Sequence, residues 1–161
     1  MINYQLPITI PMLNNLYEID FYAWTQEQAK LLRDCKWHEL DLPNLIEEIE
    51  SLGKQQRQEL RNCLSVLIGH LLKWEYQPQQ RSRSWLSTIR VQRFDLNDLL
   101  QENPILKSYL EEALQKAYRK GIELAAGETN LPNKTFPVNC TYTLEEILSD
   151  RFFPSEPYSE E

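Results

Sequence analysis

A chain of 161 residues with 42% apolar content is the size of one ordinary domain and can bury a core without disulfide or metal staples. Three cysteines, Cys35, Cys63 and Cys140, show no CxxC spacing, and neither a signal-peptide pattern nor a long apolar run is visible, so a reducing cytoplasm is the expected setting and a membrane is not. The net charge of −7 disfavours passive attraction to phosphate backbones, which leaves a protein partner, a homo-oligomer or a small molecule ahead of nucleic acid.

Pro7 and Pro11 among short apolar runs read as an extended arm over residues 1–16. Thr25 with Gln28 matches a capping box, which predicts a first helix starting just after Trp24 and ending near Cys35. Leu42-Pro43 opens a second helix, because proline in the first turn forgoes an amide hydrogen that would be unpaired there. Apolar residues then recur at spacings of three and four through Leu45, Ile46, Ile49 and Leu52, and again from Leu60 to Trp74, with Gly53 as a point of bending or breakage and Pro78 as the end.

Ser84 is the expected cap of the next helix, and Asn103-Pro104 a cap and first-turn proline for another that stops at Gly127. Residues 128–142 read as an ordered surface loop, and Thr143 with Glu146 as a capping box for a short last helix before Phe152-Phe153-Pro154. The expected fold is an all-α helical bundle of about five to six helices in a single domain over 1–161, with a helical core over 17–154 and an acidic flexible tail over 155–161.

Three constellations bear on chemistry. On a helical wheel His70 lies inside the stripe with Leu67 and Trp74, so the imidazole faces the core and is neutral near pH 7. A hydrogen-bonded core histidine is its first reading, and a catalytic base or metal ligand its second. Glu47, Glu48 and Glu50 form an acidic run; Glu47 points away from the apolar stripe, whereas Glu48 and Glu50 flank it and are the carboxylates that could meet His70. The commoner outcome for such spacing is a solvated acidic face, and no metal is predicted, His70, Glu48 and Glu50 being only weak candidates.

The third is Arg81, Arg83, Ser84 and Arg90, which gather at a helix start where unpaired amide hydrogens and forked guanidinium donors could hold a phosphate or carboxylate. Internal neutralisation of the glutamates is the plainer job for these arginines, and Arg93, set in an apolar row, is expected in a buried or half-buried ion pair. Cys63 reads as a small core residue, Cys35 and Cys140 lack an activating neighbour, and His38 falls in a connection. Trp24, Trp37, Trp74 and Trp85 read first as packing residues.

Several blocks in order resemble one family: Tyr17-Glu18-Ile19-Asp20-Phe21-Tyr22-Ala23-Trp24, Leu40-Asp41-Leu42, Leu45 to Glu50, Leu52-Gly53 and His70-Leu71-Leu72-Lys73-Trp74. Pro78, Arg81, Ser84-Trp85, Ile89, Arg93, Asn103-Pro104, Glu128-Thr129, Phe136-Pro137 and Tyr142-Thr143-Leu144 continue the match. The chain thus resembles the bacterial domain-of-unknown-function family twenty-nine, with departures at Ile105 and Thr141 that touch no candidate residue. The resemblance implies an all-helical fold and brings no activity, cofactor or site with it. No nucleophile motif, phosphate loop, metal-binding cysteine pair or cofactor fingerprint is present, so no cofactor is predicted and the leading functional expectation is a cytoplasmic interaction or regulatory module without catalysis. The alternative is a hydrolase or nuclease-like enzyme using His70, a carboxylate from Glu47, Glu48 or Glu50, and an anion site at Arg81 and Arg83; a nucleic-acid binder comes last.

Overall fold

The three-and-four periodicity of the apolar residues is realised as helix over most of the described chain. The structure, a computed structural model, describes residues 13–155, and among them six α-helices and four short 3₁₀ turns follow one another without a strand, an all-α helical bundle. Two compact units divide the chain, one ending at Gly53 and the other beginning at Lys54.

The first unit holds α1 (Leu13–Ile19), α2 (Phe21–Arg33), a 3₁₀ turn (Trp37–Glu39) and the opening of α3 (Leu42–Tyr76). Helix begins earlier here than the sequence reading placed it. Residues 13–16, assigned to an extended arm, belong to a helix that runs on to Ile19, and residues 1–12 lie outside the described part. The cap of α2 is Asp20, whose carboxylate accepts from the Ala23 amide at 2.9 Å. Thr25 sits within the helix and its hydroxyl donates to the Tyr22 carbonyl at 2.7 Å, so it is not the start. Asp20 prevails because the turn it opens carries Phe21 and Trp24, which pack against each other and against Tyr17 at centroid distances of 4.9–5.8 Å. The helix ends with Cys35 in the left-handed region at φ 55°.

Asp41 then ties the unit together. Its carboxylate accepts from the Trp24 indole at 3.1 Å and from the Asn44 amide at 2.7 Å, while its own backbone amide donates to the buried Gln28 side chain at 2.8 Å. Tyr17 donates to Glu48 at 2.5 Å; that bond, with burial adding to it, pushes the phenol up to about 12.

Helix α3 is continuous through Gly53, so the glycine does not break it. From Leu64 to Trp74 every residue except Val66 is buried, and this second half is the spine of the second unit. Helix α4 (Arg83–Glu102) is capped by Ser82, whose side chain accepts from the Trp85 amide at 3.3 Å, and not by Ser84, the exposed serine two places on. Asn103 leads into a 3₁₀ turn (Pro104–Tyr109) without capping it, its side chain donating back to the Leu99 carbonyl at 3.2 Å. Helix α5 (Leu110–Thr129) runs past Gly127 and stops at Asn130, which takes the left-handed conformation at φ 56°. Asparagine tolerates that region, so the glycine was not required to end the helix.

Helices α3 and α5 touch backbone to backbone. A Cβ added at Gly121 would lie 3.2 Å from the Gly69 nitrogen and the Ser65 carbonyl oxygen. The loop after α5 contains a 3₁₀ turn (Asn133–Thr135) and is held down by buried Phe136 and Tyr142 and by the Tyr118 hydroxyl, which donates to the Pro137 carbonyl at 2.7 Å. Helix α6 (Leu144–Leu148) opens on the expected Thr143 and Glu146 capping box. Arg93 is fully buried and donates to the carbonyls of Ile147 at 2.9 Å and Phe152 at 2.7 Å, stitching the chain end to α4.

Candidate functional site

His70 comes from the all-round buried half of α3, where it is 9% exposed. Its Nδ1 lies 2.9 Å from the Val66 carbonyl one turn back, and since a carbonyl only accepts, the proton sits on Nδ1. Nε2 is then an acceptor, and it faces the Lys73 ammonium at 3.4 Å. Burial holds the imidazole below its ordinary range; the Val66 carbonyl and Glu128 work against that and the Lys73 charge works with it.

Lys73 is the unusual member, a cation 2% exposed. Its ammonium pairs with Glu128 of α5, whose side chain is half exposed, and rests 4.3 Å from the Trp85 ring centroid of α4. Three helices thus meet on one charge: α3 supplies the cation and an acceptor, α5 the counter-ion and α4 an aromatic face. Sequence reasoning placed His70 correctly in the interior and missed Lys73, Glu128 and Trp85 as its company. The signal was the density of apolar residues between Leu64 and Trp74, where Leu64, Val66, Leu67, Ile68, Leu71, Leu72 and Trp74 fall on most sides of the helix and so bury a lysine set among them. Chemically the cluster is a closed circuit. For His70 to accept a proton from a substrate, Nε2 would first have to give up the ammonium.

The other candidates fall elsewhere. Glu48 is engaged by Tyr17 and belongs, with exposed Glu47 and Glu50, to the opening turns of α3, several turns before His70 in the same helix. Arg81 turns toward Trp74, donating to its carbonyl at 2.9 Å with the guanidinium 4.9 Å from the ring centroid. Arg83 and Ser84 are exposed. Arg90 borders a groove of about 550 Å³ that it shares with Val91, Phe94, Asp98 and Asp150, so two carboxylates accompany the one arginine there. Among the described residues no three His, Cys, Asp or Glu side chains gather to hold a metal ion. Cys63 and Cys140 are half-buried with their thiols pushed up by burial, which keeps them protonated, and Cys35 is exposed. Among the described residues no helix is long and apolar enough to cross a membrane.

What stands open to solvent is an apolar row. On the wheel Leu42, Ile46, Ile49, Gly53, Gln56 and Leu60 share one side of α3. From Leu60 onward that side is buried, yet Leu42, Ile46, Ile49 and neighbouring Leu52 are 53%, 56%, 66% and 61% exposed. Single exposed leucines are ordinary, but four along adjacent turns are not.

A family model described as Domain of unknown function DUF29 matches residues 16–153. No curated protein and no solved structure matches the chain.

Proposed function

The chain belongs to the family of the domain of unknown function DUF29, and from that premise, which carries no activity with it, we propose that it is a recognition module working in the bacterial cytoplasm, binding a protein partner through the exposed row of α3. The observation that carries this reading is the contrast within a single helix: the same apolar side that forms the core after Leu60 is bare from Leu42 to Leu52. Exposed apolar surface raises solubility risk and gains nothing for the isolated chain, so its continuous placement on a regular helix is the signature of a helix-to-helix docking face. Three free cysteines suit a reducing compartment.

The test is site-specific photo-crosslinking in cells, with a photoreactive amino acid at Ile49 and, as control, at Val138, which is 91% exposed outside the row. A discrete crosslinked product from position 49 and none from position 138 is the expected outcome. Equal yields from both positions, or none from 49, would remove the row as a recognition surface.

A further inference from the structure

We propose that the exposed row of α3 receives a basic amphipathic helix of another protein, a segment with apolar side chains on one side and lysine or arginine along its borders. The proposal rests on the recognition reading above and names the chemistry of its partner. Everything it uses lies in the first compact unit, which ends at Gly53. That unit buries little. Of residues 16–53 only Trp24, Gln28 and Leu31 are buried. The same unit carries nine of the thirteen large apolar residues that stand exposed among the described residues, the row of Leu42, Ile46, Ile49 and Leu52 included.

Charge selects the partner. Residues 1–53 hold nine acids against Lys30, Arg33 and Lys36, a net of −6 out of the −7 of the whole chain. Hydrogen bonding within the unit does not cancel these charges. Asp20 accepts from a backbone amide, Asp41 from an indole and a carboxamide, and Glu48 from a phenol, all of them neutral donors. Asp41 stands immediately before Leu42, and Glu48 borders the row on the wheel, so acid lies at the start and along one edge of the apolar side chains. A basic helix brings its cations to that edge, whereas a second copy would bring an equally acidic unit and a nucleic acid its phosphates. From Leu42 to Leu52 the row extends over about 15 Å, which a partner helix of about four turns covers with its own apolar residues at spacings of three and four.

The experiment titrates a labelled peptide with the purified full chain and reads fluorescence anisotropy. The peptide is made of leucine and lysine, about 15 residues long with its leucines at spacings of three and four, and its counterpart has glutamate in place of every lysine. The lysine peptide should bind the wild type with an affinity that falls as salt rises, and the glutamate peptide should not bind. Ile49→Glu separates docking from mere attraction, because it adds an acid at an exposed position within the row. Docking makes its binding about tenfold weaker, and attraction alone makes it tighter. Glu48→Gln keeps an acceptor for Tyr17 and removes the charge, so it should weaken binding about two- to fivefold with a flatter salt dependence.

Failure of the lysine peptide to bind overturns the basic partner and leaves the recognition reading to the crosslinked product of position 49. Binding that Ile49→Glu leaves unchanged or tightens, that Glu48→Gln leaves unchanged, or that the glutamate peptide matches, overturns it as well. So does a wild-type dimer in sedimentation equilibrium that Ile49→Glu dissolves, since a second copy would then occupy the row.

Discussion

At the scale of single residues the second unit turns on Lys73. A cation with a 3% exposed side chain paired to a carboxylate 50% exposed makes the two halves of the pair unequal. Removing the carboxylate leaves a charge in the interior, whereas removing the lysine leaves a carboxylate that water can solvate. Glu128→Ala is therefore expected to cost about 2–3 kcal/mol and Lys73→Met about 1 kcal/mol or less, with urea unfolding as the measurement; the reverse order would contradict the burial argument.

His70 gives a pH signature of its own. Its native value is held below the ordinary 6.5, chiefly by burial, so the unfolded chain takes up the proton first. The groups facing it are the Val66 carbonyl, Lys73 and Glu128. Stability from this group is complete above 6.5 and declines as pH falls through that value, levelling once the native histidine also titrates. His70→Asn should lower stability by about 1–3 kcal/mol at neutral pH, yet show a shallower loss than the wild type as pH falls below 6.5. Parallel curves for the two proteins would mean that His70 is not the group responsible. The burial of His70 was legible from the wheel. The ion pair beside it was not, because Glu128 lies 55 positions from Lys73 and no local pattern announces a contact at that separation.

At the scale of elements, pattern predicted helices well and their ends poorly, and α6 shows why. Its capping box closes within four residues and needs nothing else, so Thr143 and Glu146 could be read directly. At α2 and α4 two acceptable caps stood within a few residues of each other, and aromatic packing in one case and an extended backbone at Ser82 in the other made the choice. The end of α5 shows the same ambiguity, since Gly127 and Asn130 can each stop a helix and the one that turns left-handed is the asparagine.

Glycines illustrate a second limit. Gly121 and Gly127 lie on the same helix, and composition cannot tell them apart. A Cβ at Gly121 would lie 3.2 Å from the α3 backbone, while one at Gly127 would meet nothing within 4 Å. Gly121→Ala should cost about 1–3 kcal/mol by forcing the helices apart. Gly127→Ala should stabilise by about 0.5–1 kcal/mol through helix propensity and reduced freedom of the unfolded chain. Thermal unfolding of the two variants decides it, and a destabilised Gly127→Ala or an indifferent Gly121→Ala would place the helix contact elsewhere.

At the scale of the whole molecule, the informative feature is one that periodicity alone describes ambiguously. Leu42, Ile46, Ile49 and Leu52 repeat as core residues do, and the sequence marks an apolar side without saying what covers it. Only their exposure separates this part of α3 from the part after Leu60. Because Ile49 is 66% exposed, Ile49→Glu should leave the stability within about 0.5 kcal/mol of the wild type in dilute protein, the range of ordinary surface substitutions.

The account stands or falls on whether the bare row becomes covered. Amide hydrogen exchange over residues 42–53, compared between the purified chain and the same chain returned to a cytoplasmic extract, measures that directly. The expected result is slower exchange in the extract confined to this stretch, and its disappearance in Ile49→Glu. Exchange over 42–53 that is unchanged in the extract, or that slows equally in the variant, would contradict the claim that this face of α3 is a recognition surface.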